Sequence, residues 1–194
     1  MMKIEEMKQL LEASLAPKRY KHSLNVYKTA LKLAEAHKLP EEKIAVSALL
    51  HDCGREVPTK ESVAKAQELG LPVDEVERHQ PILLHAKLGV YYAREKYGVT
   101  DKEILDGILY HTTGKDHMSA LAKVVFLADM VEPGRDFPGV DDLRKLAHKD
   151  LDKAMLKAYS NTLDYLLAGG QLIHPHCIDG YNELILAEKA AKSR

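Results

Sequence analysis

Apolar residues recur along this chain at the three- and four-residue spacing of amphipathic helices, and no segment keeps the alternation of a half-buried strand. Proline and glycine interrupt the pattern at helix-like intervals. The pattern predicts an all-α fold, a helical bundle. Its helices are predicted at about 3–14, 18–37, 41–53, 60–69, 81–97, 101–112, 119–131, 141–148, 150–168 and 178–191.

Local chemistry supports several of these boundaries. Pro17 suits the first turn of a helix, where an amide N–H has no partner. Thr100 and Glu103 have the spacing of a capping box, with Thr100 as the N-cap. Gly169-Gly170 is predicted to end the helix over 150–168. Two stretches, 132–140 and 171–176, are predicted to be irregular.

Composition narrows the class of protein. The 194 residues suffice for one well-packed domain, and 45% hydrophobic with 29% charged residues is ordinary globular composition. The net charge of −1 gives no bulk attraction to nucleic acid or to an anionic membrane, and no apolar run approaches the roughly 20 residues of a membrane span. The N-terminus has no signal-peptide core, and Cys53 and Cys177 are isolated, so we expect a cytoplasmic protein.

Histidine and aspartate close several of the apolar runs. An imidazole or carboxylate in such a position tends to face the interior, where it must be paired, hydrogen-bonded or bound to a metal. Several of them on separate helices predict one buried polar centre, and this residue chemistry favours a metal site. The candidates are His22 on a core-facing stripe, the adjacent His51-Asp52, His85, His111 and Asp129.

The adjacent pair His51-Asp52 imposes a geometric condition. Neighbouring residues on a helix diverge by about 100°, so both can reach one metal only near a helix end, although a carboxylate can also bridge two metals. The structural alternative is a hydrogen-bonded His-Asp pair at the end of the helix. Cys53, which follows, is interpreted as a small buried side chain rather than a reactive thiol.

The other candidates have structural alternatives of their own. His22 could be a hydrogen-bonded core histidine, and His111 a polar cap at a helix C-terminus. Asp129 could form an ion pair with Arg135. Arg55 and Arg135 could each hold a phosphate group through two parallel hydrogen bonds.

Five stretches of the chain resemble the HD-domain superfamily of metal-dependent phosphohydrolases, and more specifically the YqeK family of small bacterial HD proteins. The superfamily match covers roughly residues 18–132. The chain departs from the family at Tyr181-Asn182, where an Arg-Asn pair is usual. The stretches that carry the resemblance are Arg19–Val26, Leu49–Arg55, His111–Gly114, Leu127–Arg135 and Ile173–Pro175.

The resemblance implies a single HD domain over residues 1–194, with a metal-binding core at about 18–132. Helices and a segment that closes over the nucleotide would follow at 133–194. Its expected activity is symmetrical hydrolysis of diadenosine tetraphosphate to two ADP by metal-bound hydroxide. The implied metal is iron, with manganese or zinc as alternatives, and one or two ions. The partner is the nucleotide, with a homodimer as a further possibility.

The resemblance also implies a role for each site residue. His22, His51, Asp52 and Asp129 match the metal ligands. His85 and His111 match catalytic positions that bind a second metal or the substrate phosphates. The substrate-binding set is Arg55, Thr112, Arg135 and His174.

Three rival functions stay open at this stage. The same metal core would serve another nucleotide phosphohydrolase, such as a nucleotidase or a deoxynucleoside triphosphohydrolase. A nucleotide-binding HD module without turnover would lack one or more ligands, and all six candidates are present. A plain helical interaction domain would hold no metal.

Overall fold

Eleven α-helices, joined by short loops and turns of 3-10 helix, form the computed structural model, which describes residues 1–193. No strand occurs among those residues, which confirms the predicted all-α fold. The helices are α1 (Ile4–Ser14), α2 (Pro17–Ala36), α3 (Glu41–Leu50), α4 (Ser62–Glu68), α5 (Glu75–His79), α6 (His85–Glu95), α7 (Lys102–Tyr110), α8 (Ala120–Val131), α9 (Val140–Ala147), α10 (Leu151–Ala168) and α11 (Pro175–Lys192).

Two apolar clusters make up the core. One unites α8 with α9, α10 and α11, and the other unites α1 with α6. Helices α2, α3 and α7 contribute side chains to both clusters, so they join the two halves of the core. Because α6 and α8 belong to different clusters, a site with ligands from both helices lies where the two halves meet. In the described part of the chain, no helix is both long enough and apolar enough to cross a bilayer.

Several predicted helix boundaries differ from the structure, among them the start of α6, which lies at His85 rather than at 81. Helix α3 ends at Leu50 rather than at 53, and α11 begins at Pro175 rather than at 178. Asp101, not Thr100, is the N-cap of α7, since its carboxylate accepts hydrogen bonds from the amides of Glu103 and Ile104. The aspartate carboxylate reaches the free amides of the first turn from a position one residue closer to the helix.

Helix α5 was missed by the sequence pattern. It has only five residues and a single buried side chain, so it leaves no apolar stripe. Asp74 caps its N-terminus in a capping box with Glu77. Gly169 and Gly170 do end α10 as predicted, with Gly170 in the left-handed region at φ 57°.

A turn of 3-10 helix at Cys53–Glu56 packs directly on α6 through Gly54. A Cβ atom at Gly54 would lie 2.1 Å from the carbonyl oxygen of His85 and 2.5 Å from the amide nitrogen of Gly89. Both atoms belong to the backbone, so neither can rotate away. The absence of a side chain at Gly54 therefore fixes how closely His85 approaches the end of α3.

We expect Gly54→Ala to lower the free energy of unfolding by about 3 kcal/mol, because it forces α6 away from the 3-10 turn. Urea unfolding followed by circular dichroism measures this. Gly169→Ala is the matched control, since its Cβ would meet the flexible end of Gln171 at 3.2 Å and the carbonyl oxygen of Tyr165 at an ordinary contact distance of 3.4 Å, and its φ is −87°. We expect the control to stay within about 0.5 kcal/mol of the wild type. Equal stability of the two variants would contradict the prediction.

Candidate metal centre

Six side chains from five segments of the chain converge at the junction of the two core clusters. They are the six that the sequence pattern selected. Three of the four histidines and Asp52 are almost completely buried, whereas His22 and Asp129 keep a small exposed fraction. The six are His22 on α2, His51 and Asp52 just after α3, His85 at the start of α6, His111 just after α7, and Asp129 on α8.

One group of ligand atoms is formed by His22, His51, Asp52 and Asp129, here called the His22 set. His22 Nε2 lies 3.0 Å from Asp129 Oδ1 and 3.3 Å from His51 Nε2. Oδ2 of Asp52 lies 3.7 Å from His22 Nε2 and 3.6 Å from His51 Nε2. One ion could therefore contact two imidazoles and two carboxylates.

A second group, here called the His85 set, uses the other oxygen of the same aspartate. Asp52 Oδ1 lies 3.3 Å from His85 Nε2 and 3.7 Å from His111 Nε2. The two imidazole nitrogens are 2.9 Å apart, and the Thr112 hydroxyl lies 3.2 and 3.1 Å from them. The two oxygens of Asp52 thus face different sets, as a carboxylate that bridges two ions must.

Backbone carbonyls fix the orientation of three of the imidazoles. His51 Nδ1 donates to the oxygen of Ala48 at 2.8 Å, and His111 Nδ1 donates to the oxygen of Ile108 at 2.7 Å. His85 Nδ1 donates in the same way to Ile82. A carbonyl only accepts, so each Nδ1 carries a proton, and in a neutral ring the Nε2 lone pair points into the centre.

The end of α3 is what lets His51 and Asp52 point to one place. His51 still has helical dihedral angles, but Asp52 leaves the helix at φ −103° and ψ 11°. The change in backbone direction offsets the divergence of neighbouring helical side chains. Both side chains can therefore reach one metal, as the sequence required of a helix end. They do not form the alternative direct hydrogen bond, because His51 Nε2 and Asp52 Oδ2 are 3.6 Å apart.

The buried charges favour neutral His51 and His85 beside ionised carboxylates. Burial lowers the pKa of His51 to about 4 and that of His85 to about 3. Burial raises the pKa of Asp52, but the neighbouring His51, His111 and His85 outweigh this and hold it well below its usual value. For Asp129 too, burial raises the pKa, but contact with His22 together with the charges of His51 and Arg135 outweighs burial and lowers the pKa. In these four residues the favoured protonation states are those that metal ligation requires.

The donor set fits a divalent transition metal. Without a cation, the Nε2 lone pairs of His85 and His111 would face each other at 2.9 Å beside a carboxylate. A positive ion between them removes that repulsion. Imidazole nitrogen and carboxylate oxygen are ligands of iron, manganese and zinc. Ligand atoms of His22, His51 and Asp129, and of His51, Asp52 and His111, lie within 4.8 Å of one another.

Glu132 is a further member of the site, which the sequence analysis assigned to a loop. Its carboxylate is buried and accepts hydrogen bonds from His22 Nδ1 at 3.2 Å, Asn25 Nδ2 at 2.9 Å and the Gly134 amide at 2.6 Å. His22 is thus the one histidine of the six residues whose second nitrogen meets a carboxylate. A carboxylate in this position orients the ring and raises the basicity of the ligand atom.

Three arginines surround the two aspartates. Arg19 Nη1 lies 2.8 Å from Asp52 Oδ2, and Arg55 Nε lies 3.2 Å from Asp52 Oδ1. Arg135 forms the ion pair with Asp129 that the sequence offered as an alternative to metal binding. Asp129 contacts His22 at the same time. The arginines add positive charge on the side from which an anionic ligand would approach.

Two clefts lie beside the centre. The His22 cleft, of about 660 Å³, exposes His22 and is lined by four cationic residues: Lys18, Arg19, Lys21 and Arg135. The Thr112 cleft, of about 140 Å³, is lined by Thr112, Thr113, Tyr110, Lys87, His174 and His176, among others. Of the six candidate ligands, His22 alone lines one of these two clefts; the Thr112 cleft adjoins the His85 set through Thr112, whose hydroxyl contacts both imidazoles.

The remaining predicted residues lie around this centre. Thr112 and His174 line the Thr112 cleft, and Arg135 lines the His22 cleft. His174 is the N-cap of α11, and its Nε2 donates to Asp74 Oδ2 at 3.0 Å rather than to the centre. Cys53 is buried and donates to the Gly89 carbonyl, and burial raises the pKa of its thiol, as expected for an unreactive side chain.

We expect Glu132→Gln to weaken metal binding by about 10- to 100-fold, because the amide no longer supports His22 as a carboxylate does. Competition with a chelator of known affinity measures this. Glu56→Gln is the control: Glu56 pairs with Lys96 at 2.6 Å, and the contacts that define the centre do not include it. Equal metal affinity of the Glu132→Gln protein and the wild type would show that Glu132 has no influence on the ligand.

Comparisons with known proteins agree with this geometry. A family model described as "HD domain" matches residues 19–134. A "Bis(5'-nucleosyl)-tetraphosphatase, symmetrical" of Halalkalibacterium halodurans is 37% identical over 181 residues, which are 93% of this chain and 96% of the relative. The protein of the same description from Bacillus subtilis is 36% identical, over 93% of this chain and 97% of its own length.

A solved structure has the same fold. It is described as a predicted HD superfamily hydrolase involved in NAD metabolism from Clostridium acetobutylicum. Its TM-score to this chain is 0.91 at 36% sequence identity, and the match covers 96% of this chain and 99% of the other.

Proposed function

The chain belongs to the HD-domain family, and on that premise we propose that it hydrolyses dinucleoside tetraphosphates symmetrically, with diadenosine tetraphosphate giving two ADP. One observation carries the proposal. The centre has two sets of ligands that share Asp52; His22 of one set lines the His22 cleft, and Thr112, which contacts both imidazoles of the other set, lines the Thr112 cleft. A substrate with two equal halves and a reacting bond in the middle matches that arrangement.

We propose that two ions bind, one in the His22 set and one in the His85 set. Iron is our choice, with manganese and zinc as the alternatives that the same ligands accept. Such ions, when bound, lower the pKa of water and polarise a phosphoryl oxygen, which a phosphoanhydride hydrolase needs at neutral pH. Of the two roles predicted for His85 and His111, the contact of both Nε2 atoms with Asp52 supports metal binding rather than direct contact with phosphate.

The cationic residues of the His22 cleft would hold the polyphosphate. Arg19 and Arg135 already contact the two ligand aspartates, so phosphate oxygens bound at the centre would lie within reach of both guanidinium groups. Arg55 contacts Asp52 as well, and we propose that it holds this aspartate in place rather than the outer phosphate predicted from the sequence. The hydroxyl of Thr112 would donate to a phosphate on the other side.

The C-terminal part of the chain would complete the second half of the site. His174 and His176 stand at the start of α11 and line the Thr112 cleft, so residues 133–194 are proposed to close over one nucleotide. Metal binding would remain with residues 18–132. A cytoplasmic location and a homodimer stay part of the proposal. Both described cysteines are free thiols, which fits a reducing compartment.

Another nucleotide phosphohydrolase would use the same centre, and only the clefts would differ. Product analysis decides between them. The protein is purified without air, loaded with ferrous ion and given diadenosine tetraphosphate, and the products are separated by chromatography. ADP as the sole product supports the proposal, and AMP with ATP would contradict symmetrical cleavage. A metal-stripped sample is the control, and turnover of other nucleotides alone would favour the alternative.

A further inference from the structure

A third cleft, of about 590 Å³, lies next to the His22 cleft and belongs to neither set of ligands. Here it is called the Tyr165 cleft. Arg135 lines both clefts, so the two adjoin at that residue. Its lining combines aromatic, apolar and polar side chains: Met130, Phe137, Pro138, Asn161, Asp164 and Tyr165, among others.

We propose that the Tyr165 cleft binds one nucleoside of the substrate, an inference that rests on the function proposed above. A symmetrically cleaved substrate extends from the metal centre in two directions, with a nucleoside at each end. The Thr112 cleft serves one direction. In the other, the polyphosphate would follow the cationic wall of the His22 cleft to Arg135, and the nucleoside beyond it would enter the Tyr165 cleft.

The side chains of this cleft suit a base and a ribose. The ring of Tyr165 on α10 is 69% exposed, and the apolar surface of Phe137 and Pro138 lines the same space. An exposed aromatic ring provides a stacking surface for any nucleobase. Asn161 and Asp164 add an amide and a carboxylate, which can pair with the edge of a base or with ribose hydroxyls.

The size and charge of the site support the same occupant. A volume of about 590 Å³ falls within the range of pockets for small molecules. Arg135, at the boundary, is bound to Asp129 through its Nη2 atom and through Nε to the carbonyl oxygen of the same residue at 2.8 Å. A guanidinium held in that way would sit between the phosphates and the nucleoside, where the negative charge of the substrate ends.

Tyr165→Ala tests the subsite by steady-state kinetics with diadenosine tetraphosphate. We expect kcat/KM to fall by about tenfold or more through KM, with kcat nearly unchanged, because stacking is lost equally in ground state and transition state. Tyr165→Phe keeps the ring and should stay within about twofold of the wild type. Leu167→Ala is the matched control, because Leu167 is 66% exposed on the same helix but does not line the cleft.

Several outcomes would overturn the subsite. A Tyr165→Ala protein with the KM of the wild type removes the ring from substrate binding. A Tyr165→Phe protein as impaired as Tyr165→Ala assigns the effect to the hydroxyl group. Analytical ultracentrifugation of the same proteins measures their oligomeric state. If the wild type is a dimer and the Tyr165→Ala protein is a monomer, this surface is an interface between copies of the chain.

Failure of the proposed function gives a different result. If the metal-loaded wild type does not cleave the compound, calorimetric titration of the same metal-loaded proteins replaces the kinetics. Weaker binding by Tyr165→Ala than by Leu167→Ala would then keep the nucleoside subsite and reject the hydrolase. Equal affinity of the two variants would reject the subsite.

Discussion

Replacing Asp52 by alanine is expected to abolish turnover and to remove both of the proposed metal ions from the protein. Asp52 is the residue whose two carboxylate oxygens face the two sets of ligands, Oδ2 toward His22 and Oδ1 toward His85. Its loss therefore affects both ions at once, and the expected fall in kcat is on the order of a thousandfold or more, as for other residues that act as a unit. Elemental analysis and product formation from diadenosine tetraphosphate measure the two effects.

Variants of single sets are the controls for this experiment. Asp129→Ala removes a ligand from the His22 set, and His85→Ala removes one from the His85 set. Each should retain more metal than Asp52→Ala. Circular dichroism shows whether the Asp52→Ala protein is folded, because Arg19 and Arg55 lose their partner in it. Two ions retained in a folded Asp52→Ala protein would contradict the bridging role.

Acidification is expected to destabilise the metal-free protein already at pH values well above the pKa of its carboxylates. The pKa values of His51 and His85 are lowered by burial to about 4 and about 3, whereas an unfolded histidine has a pKa near 6.5. Below that value the unfolded chain binds two protons that the folded chain excludes, so the free energy of unfolding falls as the pH falls. The slope for each group rises from half of about 1.4 kcal/mol per pH unit at pH 6.5 toward the full value at lower pH, so the loss between pH 6.5 and 5 is roughly 3 kcal/mol.

Burial also lowers the pKa of His176, which adds a smaller loss in the same direction, and the other ligand residues leave this window largely unchanged. The pKa of His22 is raised, since Asp129 and Asp52 outweigh the effect of burial, and its stabilising contribution is already complete below pH 6.5. Asp52 and Asp129 have lowered pKa values and lose their contribution only as the pH falls through the acid range. Urea unfolding in the presence of a chelator at several pH values measures how the free energy of unfolding changes with pH. The substitution His85→Gln should reduce this slope by about half. A stability independent of pH between 6.5 and 5 would contradict the prediction.

Bound metal should shift this loss of folding stability to lower pH. Protons and ions compete for the same Nε2 atoms, so a saturated centre keeps its histidines neutral over a wider range. Repeating the unfolding series with metal in excess provides that comparison.

The convergence of the six ligand residues could be predicted because each lies at the end of an apolar run or on a core-facing stripe. A polar group in that position must face the interior, so its burial follows from the sequence. The division into two sets could not be predicted. It depends on which oxygen of Asp52 faces which histidine, and that follows from the backbone turn after α3 and the close approach of α6 at Gly54.

The residues that support the ligands were harder to find. Glu132 directly follows a buried helix, as Asp52 follows a buried His51, but it stands beside proline and glycine and was assigned to a loop. Its role depends on His22 and Asn25, which are more than a hundred positions away in the chain. The short helix α5 was missed for a different reason, since its five residues leave no apolar stripe.

The spread of the ligands along the chain, from residue 22 to residue 129, affects how the protein is made. While the chain emerges from the ribosome, neither set of ligands is complete until α7 or α8 has been synthesised and folded. Metal loading must then follow the closure of these long loops, whose entropic cost grows only slowly with length. Scarcity of metal during growth would therefore leave a folded but unloaded pool of the protein, which later uptake of metal could activate without new synthesis.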